Sequence, residues 1–282
     1  MPRPYEREEL TVVVPVWDDY TGPVLEETLA SILAQRPRPR LLVFDNASEA
    51  PVVVPEGATI VRTDRRLSIG AARNAAVADV TTRWTMLWDA DDFMLPGTVA
   101  DLLVCAGTDR SIVVVAAGIL DGTTGQRHHW PRRWTMPLAR LRRTYALLHV
   151  VSSLFPTTGA LLRTDVVLDG GGFADAEGGD DWVVGISLAL RGRVVFGRGL
   201  GRLYRHHPGS VSADWTGSRD ISRHAALARA RLAADPAAPA FARGALPAFR
   251  LAQALVIYVL RPVSRCLPAR RHELRPSDHV ER

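Results

Sequence analysis

Through the first half of the chain, short apolar runs alternate with stripes of apolar residues at helical spacing. Leu10 to Val16 is a nearly continuous apolar run and predicts a strand buried on both faces. Pro23 to Gln35 carries Val24, Leu25, Leu29, Ile32 and Leu33 on one helical stripe, closed by Pro37 and Pro39. Arg40 to Asp45 predicts a second strand, Thr59 to Arg62 a third, Ile69 to Val80 an alanine-rich helix, and Arg83 to Trp88 a fourth strand. Pro96 to Cys105 predicts a helix with proline in its first turn. This alternation is the pattern of βαβ units on a mostly parallel sheet flanked by helices, so the expected class is α/β.

Beyond Ile112 to Leu120, a further strand, the pattern changes. Gln126 to Arg143 is rich in arginine and tryptophan and marks the start of a second half. Thr158 to Arg163 predicts a strand, Gly170 to Gly172 a turn, and Asp181 to Leu190 a helix opened by acidic residues at its positive end. Val194 to Phe196 and Leu200 to Tyr204 predict two short strands, and from Asp220 onward two helices flank the breaker Asp235-Pro236. The expected organisation is one domain over 1–215, with halves at 8–120 and 121–215, and a C-terminal helical extension over 216–282.

Composition narrows the chemistry. All 35 long-chain cations are arginine. Without lysine there is no Schiff-base chemistry and no lysine-bearing phosphate loop. The net charge of +5 favours anionic partners without implying nucleic acid. Cys105 and Cys266 have no metal or disulfide spacing, and Met1 to Leu10 lacks the apolar core of a secretory signal, so a cytoplasmic chain is expected. Leu251 to Leu260 is shorter than the roughly 20 residues that span a bilayer.

The candidate chemistry centres on Asp89-Ala90-Asp91-Asp92 at the end of the fourth strand. Residues i and i+2 of a strand point the same way, so Asp89 and Asp91 would present two carboxylates to one side. Mn²⁺ and Mg²⁺ take such oxygens together with water and substrate phosphates. Turn and cap residues ahead of the next helix are the other reading. A position at the carboxyl end of a strand in a doubly wound sheet favours a ligand.

In order along the chain, Val12-Val13-Val14-Pro15-Val16-Trp17-Asp18, Leu42-Val43-Phe44-Asp45-Asn46, Gly70-Ala71-Ala72-Arg73-Asn74, Leu87-Trp88-Asp89-Ala90-Asp91-Asp92, and Gly171-Gly172-Phe173 with Gly179-Asp180-Asp181-Trp182 resemble the segments of an inverting family 2 glycosyltransferase of the GT-A fold. The resemblance covers about residues 10–215. It implies a nucleoside diphosphate sugar donor, by default a uridine diphosphate sugar, a hydroxyl acceptor and a divalent Mn²⁺ or Mg²⁺. It also implies roles. Pro15, Val16, Trp17, Asp45, Gly70 and Arg73 would contact the nucleotide, as would Asp89, Ala90 and Asp91. Asp89, Asp91 and His207 would hold the metal, His207 from Tyr204-Arg205-His206-His207-Pro208. Asp181 would be the base, with Asp180 beside it raising its pKa by like-charge repulsion.

Each residue has a plainer reading. Asp180 and Asp181 fit a helix cap and first turn, Asp45 a strand-end turn, Arg73 a surface ion pair, and Trp17 rim packing. Retention on the same fold, or a non-catalytic nucleotide-sugar-binding protein, are the alternative functions. Two further segments stay open. Arg127-His128-His129-Trp130-Pro131-Arg132-Arg133-Trp134 suits an acceptor loop, a membrane-surface patch or a solvated loop. Phe249 to Arg261 reads as an amphipathic core helix or as one lying on a membrane, where Arg261, Arg265, Arg270 and Arg271 would suit anionic lipid and place the chain peripherally at the inner membrane surface.

Overall fold

The computed structural model describes residues 9–125, 127–128, 133–205 and 218–260. Strand β1 (Leu10–Val16) is buried along its length because Val12, Val14 and Val16 enter one core and Val13 the other. Strands β2 (Arg40–Asp45), β3 (Ala58–Arg62) and β4 (Trp84–Leu87) run parallel to it in the order β3-β2-β1-β4. The remaining strands are β5 (Phe93–Met94), β6 (Ile112–Asp121), β7 (Arg127–His128), β8 (Ala160–Arg163) and β9 (Arg193–Tyr204). The order continues β8-β6-β9-β5, with β7 on β6. Strand β8 lies antiparallel between β4 and β6, and β6 and β9 are parallel again, so the sheet is mixed.

Helices cover both faces. On one side, α1 (Pro23–Leu33) and α3 (Thr98–Ala106) insert Leu25, Leu29, Ile32, Val99 and Leu102 against Val12, Val14 and Met86. On the other, α2 (Ile69–Ala78), α4 (Arg142–Val151), α5 (Thr164–Asp169) and α6 (Asp180–Arg191) pack Ala76, Tyr145, Val167, Val184 and Leu188 against Val13, Leu42 and Leu87. A third core joins α7 (Ser218–Ala234), α8 (Ala240–Gly244) and α9 (Leu246–Leu255) to α4 and α6 through Val150, Trp182, Ile186, Ala225, Ala228 and Leu232. The breaker Asp235 ties this extension down, accepting from Ser187 Oγ and Arg191 Nη1, both at 2.7 Å.

The structure departs from the sequence reading in places with identifiable causes. The two short strands expected over 194–204 are one long strand, β9, whose register against β6 shifts at Ile112/Val114, Ala116/Gly118 and Gly118/Ile119. Glycines sit at these bulges, where neighbours come close: a Cβ on Gly201 would lie 2.7 Å from Ala117 Cβ. Helix α3 starts at Thr98, after Gly97 in the left-handed region at φ 82°, so Pro96 precedes it. Helix α4 begins inside the arginine-rich stretch taken as a boundary, and buries Tyr145, Ala146, His149 and Val150. His149 accepts from the Leu154 amide at 2.8 Å, and burial pushes its pKa down to about 3.

Gly70 shows how tightly the layers meet around the strand ends. A Cβ there would lie 1.6 Å from the Ala174 carbonyl oxygen. We therefore expect Gly70→Ala to lower unfolding stability by roughly 2 kcal/mol or more, measured by denaturant titration, because neither backbone can yield cheaply. A neutral substitution would mean that the 174–176 segment moves freely.

Candidate active site

The carboxyl ends of β1 and β4, α2, the amino end of α6, the end of β9 and α7 converge on one cavity of about 330 Å³. Pro15, Trp17, Arg73, Asp89, Ala90, Asp91, Asp180 and Asp181 line it, eight of the residues singled out in the sequence.

Strand β4 ends at Leu87, so the acidic residues occupy a turn, closed by the Asp92 amide donating to the Asp89 carbonyl at 3.2 Å. Helix α1 fixes this turn from behind. Thr28 Oγ1 donates to the Ala90 carbonyl at 2.9 Å, and Ser31 Oγ accepts from the Met94 amide at 3.0 Å. The turn does more than an extended strand would: it gathers carboxylate oxygens of Asp89, Asp91 and Asp92 within 4.8 Å of one another. Three hard oxygen donors so close suit Mn²⁺ or Mg²⁺.

Two arginines balance this charge. Arg202, on β9, reaches Asp89 through Nη2 at 2.5 Å and Asp92 through Nε. Burial works against the Arg202 charge, but Asp89 and Asp92 outweigh it and raise its pKa. Asp92 also accepts from the Arg205 amide at 2.9 Å, yet burial lifts its carboxyl to about 7. Arg73, on α2, donates to Asp180 at 2.8 Å and reaches Asp89 at 3.5 Å. Burial opposes its charge too, and Asp180, Asp89 and Asp181 together raise its pKa. Arg73 thus joins the two acidic groups across the cavity.

Gly179, left-handed at φ 71°, places Asp180 and Asp181 as the first two residues of α6. Burial, reinforced by Asp180, raises the Asp181 carboxyl to about 6. The preceding turn is held from two sides. The Asn74 side chain accepts from the Phe173 amide at 2.7 Å and donates to its carbonyl at 2.8 Å. Arg231 of α7 donates to the Gly171 and Gly172 carbonyls at 3.1 and 3.0 Å. At the rim, Trp17 meets Tyr20 edge-on at 4.6 Å and carries the Arg66 guanidinium 4.3 Å above its ring.

Three expected residues lie outside the cavity lining. Val16 is buried in the core. The buried Asp45 carboxylate accepts from the Ser48 amide at 2.9 Å and Arg62 Nη1 at 3.0 Å. Gly70 abuts the 174–176 backbone, its amide donating to the Ala176 carbonyl at 3.1 Å. His207, and residues 129–132 of the stretch from Arg127 to Trp134, lie outside the described residues.

Sequence reasoning missed Tyr20, Arg202, Tyr204 and His224, which also line the cavity, and the contribution of Asp92. Strand alternation, which sends Arg202 and Tyr204 to one side, was a usable signal for that pair. Nothing in α7 marked His224, whose ring fills the space beside Gly179, with Cγ 2.5 Å from where a Cβ would stand.

A family model described as Glycosyl transferase family 2 matches residues 11–169. The chain belongs to that family. Asp180 and Asp181 lie beyond the matched segment of this glycosyltransferase. Its fold resembles solved GT-A structures at low identity. One is S. aureus TarS 1-349 in complex with UDP-GlcNAc, at 14% identity and TM-score 0.66, over 93% of this chain and 76% of that one. Another is the mannosyltransferase PcManGT from Pyrobaculum calidifontis in complex with GDP-Man and Mn2+, at 20% identity and TM-score 0.61, over 95% of this chain and 78% of that one. No curated protein matches the sequence significantly.

The Arg73 bridge makes a direct prediction. Arg73→Met should cost roughly 2–4 kcal/mol of unfolding stability by stranding a mostly buried Asp180 charge. Adding Asp180→Asn should recover part of that loss in a double-mutant cycle. Strictly additive losses would show that the pair is not coupled.

Proposed function

We propose that this glycosyltransferase moves a sugar from a nucleoside diphosphate sugar, with uridine diphosphate as the carrier, to a hydroxyl acceptor with inversion. The observation that carries the reading is the pair of acidic groups facing one cavity, Asp180 and Asp181 from α6 and Asp89 and Asp91 from the β4 turn, with Asp92 buried behind the latter two. The nucleoside diphosphate sugars held by the two solved relatives support the donor class.

The acceptor hydroxyl attacks the anomeric carbon, its oxygen forming the new glycosidic bond as the bond to the diphosphate breaks on the opposite face. Asp181 takes the hydroxyl proton, and the nucleoside diphosphate departs with the bonding pair. A carboxyl held at about 6 is ionised near neutral pH yet basic enough for the task. Arg73 and Arg202 line the cavity as fixed positive charges for the departing diphosphate. Asp89, Asp91 and Asp92 would hold a divalent cation, which when bound supplies Lewis-acid stabilisation of that diphosphate. Trp17 and Tyr20 offer an aromatic wall to the nucleobase.

The test is turnover of a panel of uridine and guanosine diphosphate sugars with Mn²⁺ or Mg²⁺, with the product anomer determined. Asp181→Asn should lower kcat by about a thousandfold while leaving donor affinity nearly unchanged. A raised carboxyl is protonated below its pKa, so kcat should rise with pH through about 6, and this acid limb should vanish in Asp181→Asn. Unchanged turnover in that variant, or a product of retained configuration, would overturn the reading.

A further inference from the structure

The α9 helix and the helical turn that follows it, Val256–Leu260, expose a run of large apolar side chains. Leu246, Phe249 and Ile257 pack into the third core beside Gln253, which is 1% exposed and donates to the Val150 carbonyl at 2.6 Å. The opposite side is apolar as well. Leu251 is 73% exposed, Leu255 52% and Val259 48%, while Tyr258 at their edge shares a hydrogen bond with Ser222 at 2.7 Å. Single exposed leucines are ordinary, but a helix apolar on both sides is normally buried on both. Here the inward side spends a position on glutamine while the outward side carries leucine.

Among the exposed residues from 247 to 260 Arg250 alone is charged, and it lies close enough to Arg229 to help depress that arginine's pKa, after burial. The sequence continues with Arg261, Arg265, Arg270 and Arg271, and residues 261–282 hold six arginines against three acidic residues. Apolar side chains flanked by arginines complement one surface in particular, an anionic lipid headgroup layer over hydrocarbon. No described helix is long and apolar enough to cross a membrane.

We propose that the outward face of α9 and its following turn docks on an anionic membrane surface, with Leu251, Leu255 and Val259 entering the interface and Arg250 meeting the headgroups. Helix α9 belongs to the extension that packs on α4 and α6, so docking would hold the cavity beside the bilayer without any change in the catalytic residues.

The full chain should float with vesicles of phosphatidylcholine and phosphatidylglycerol, far less with phosphatidylcholine alone, and less as salt is raised. Replacing Leu251 and Leu255 together by Glu should reduce partitioning roughly a hundredfold, and Arg250→Glu roughly fivefold, with melting temperature and donor turnover retained. Failure of the wild type to bind anionic vesicles would overturn the proposal, as would equal binding by the Leu251/Leu255 variant with its fold intact. A dimer in sedimentation that the same two substitutions dissolve, without vesicle binding, would assign the face to a second copy of the chain.

Discussion

The cavity depends on one electrostatic constraint, the crowding of Asp89, Asp91, Asp92, Asp180 and Asp181 around one small volume. Carboxylates so close repel, and partial burial removes the water that would screen them. Arg73 and Arg202 are the protein's answer. Each spans two elements: Arg73 links the α6 pair to the β4 turn, and Arg202 brings β9 against the same turn. The outcome is uneven by design of place. Burial pushes the Asp92 carboxyl up to about 7 and the Asp181 carboxyl up to about 6, while the arginines are held charged.

That balance requires the elements to stay in register, and much of the surrounding structure serves this end. Gly70 lets α2 approach the 174–176 segment, Asn74 clamps Phe173, and Arg231 of the extension grips the glycine carbonyls just upstream of α6. The extension is therefore part of the site's support, and His224 carries it to the cavity wall. A segment that resembled an appendage in sequence forms part of the cavity wall.

Legibility in the sequence followed physical range. The apolar strands β1, β2 and β4 announce themselves because burial on both faces leaves few polar positions. The acidic turn was visible as a local pattern, although its geometry differs: strand alternation selects Asp89 and Asp91, whereas the turn also recruits Asp92. Arg202 was hidden for two reasons. Its partners Asp89 and Asp92 lie more than a hundred positions away, and it is one of 35 arginines. Strand β9 was hidden because Gly197 and Gly199 interrupt the apolar pattern in sequence, whereas beside β6 the strand continues through a bulge.

In the proposed mechanism the carboxylates of Asp89, Asp91 and Asp92 seat a metal-bound diphosphate. Calorimetric titration of uridine diphosphate into the wild type and Asp91→Ala, each with Mn²⁺ and with chelator, tests it most directly. Wild-type binding should weaken by roughly tenfold or more when metal is removed, and Asp91→Ala should bind weakly with or without it. Equal affinity in the wild type with and without Mn²⁺ would contradict it.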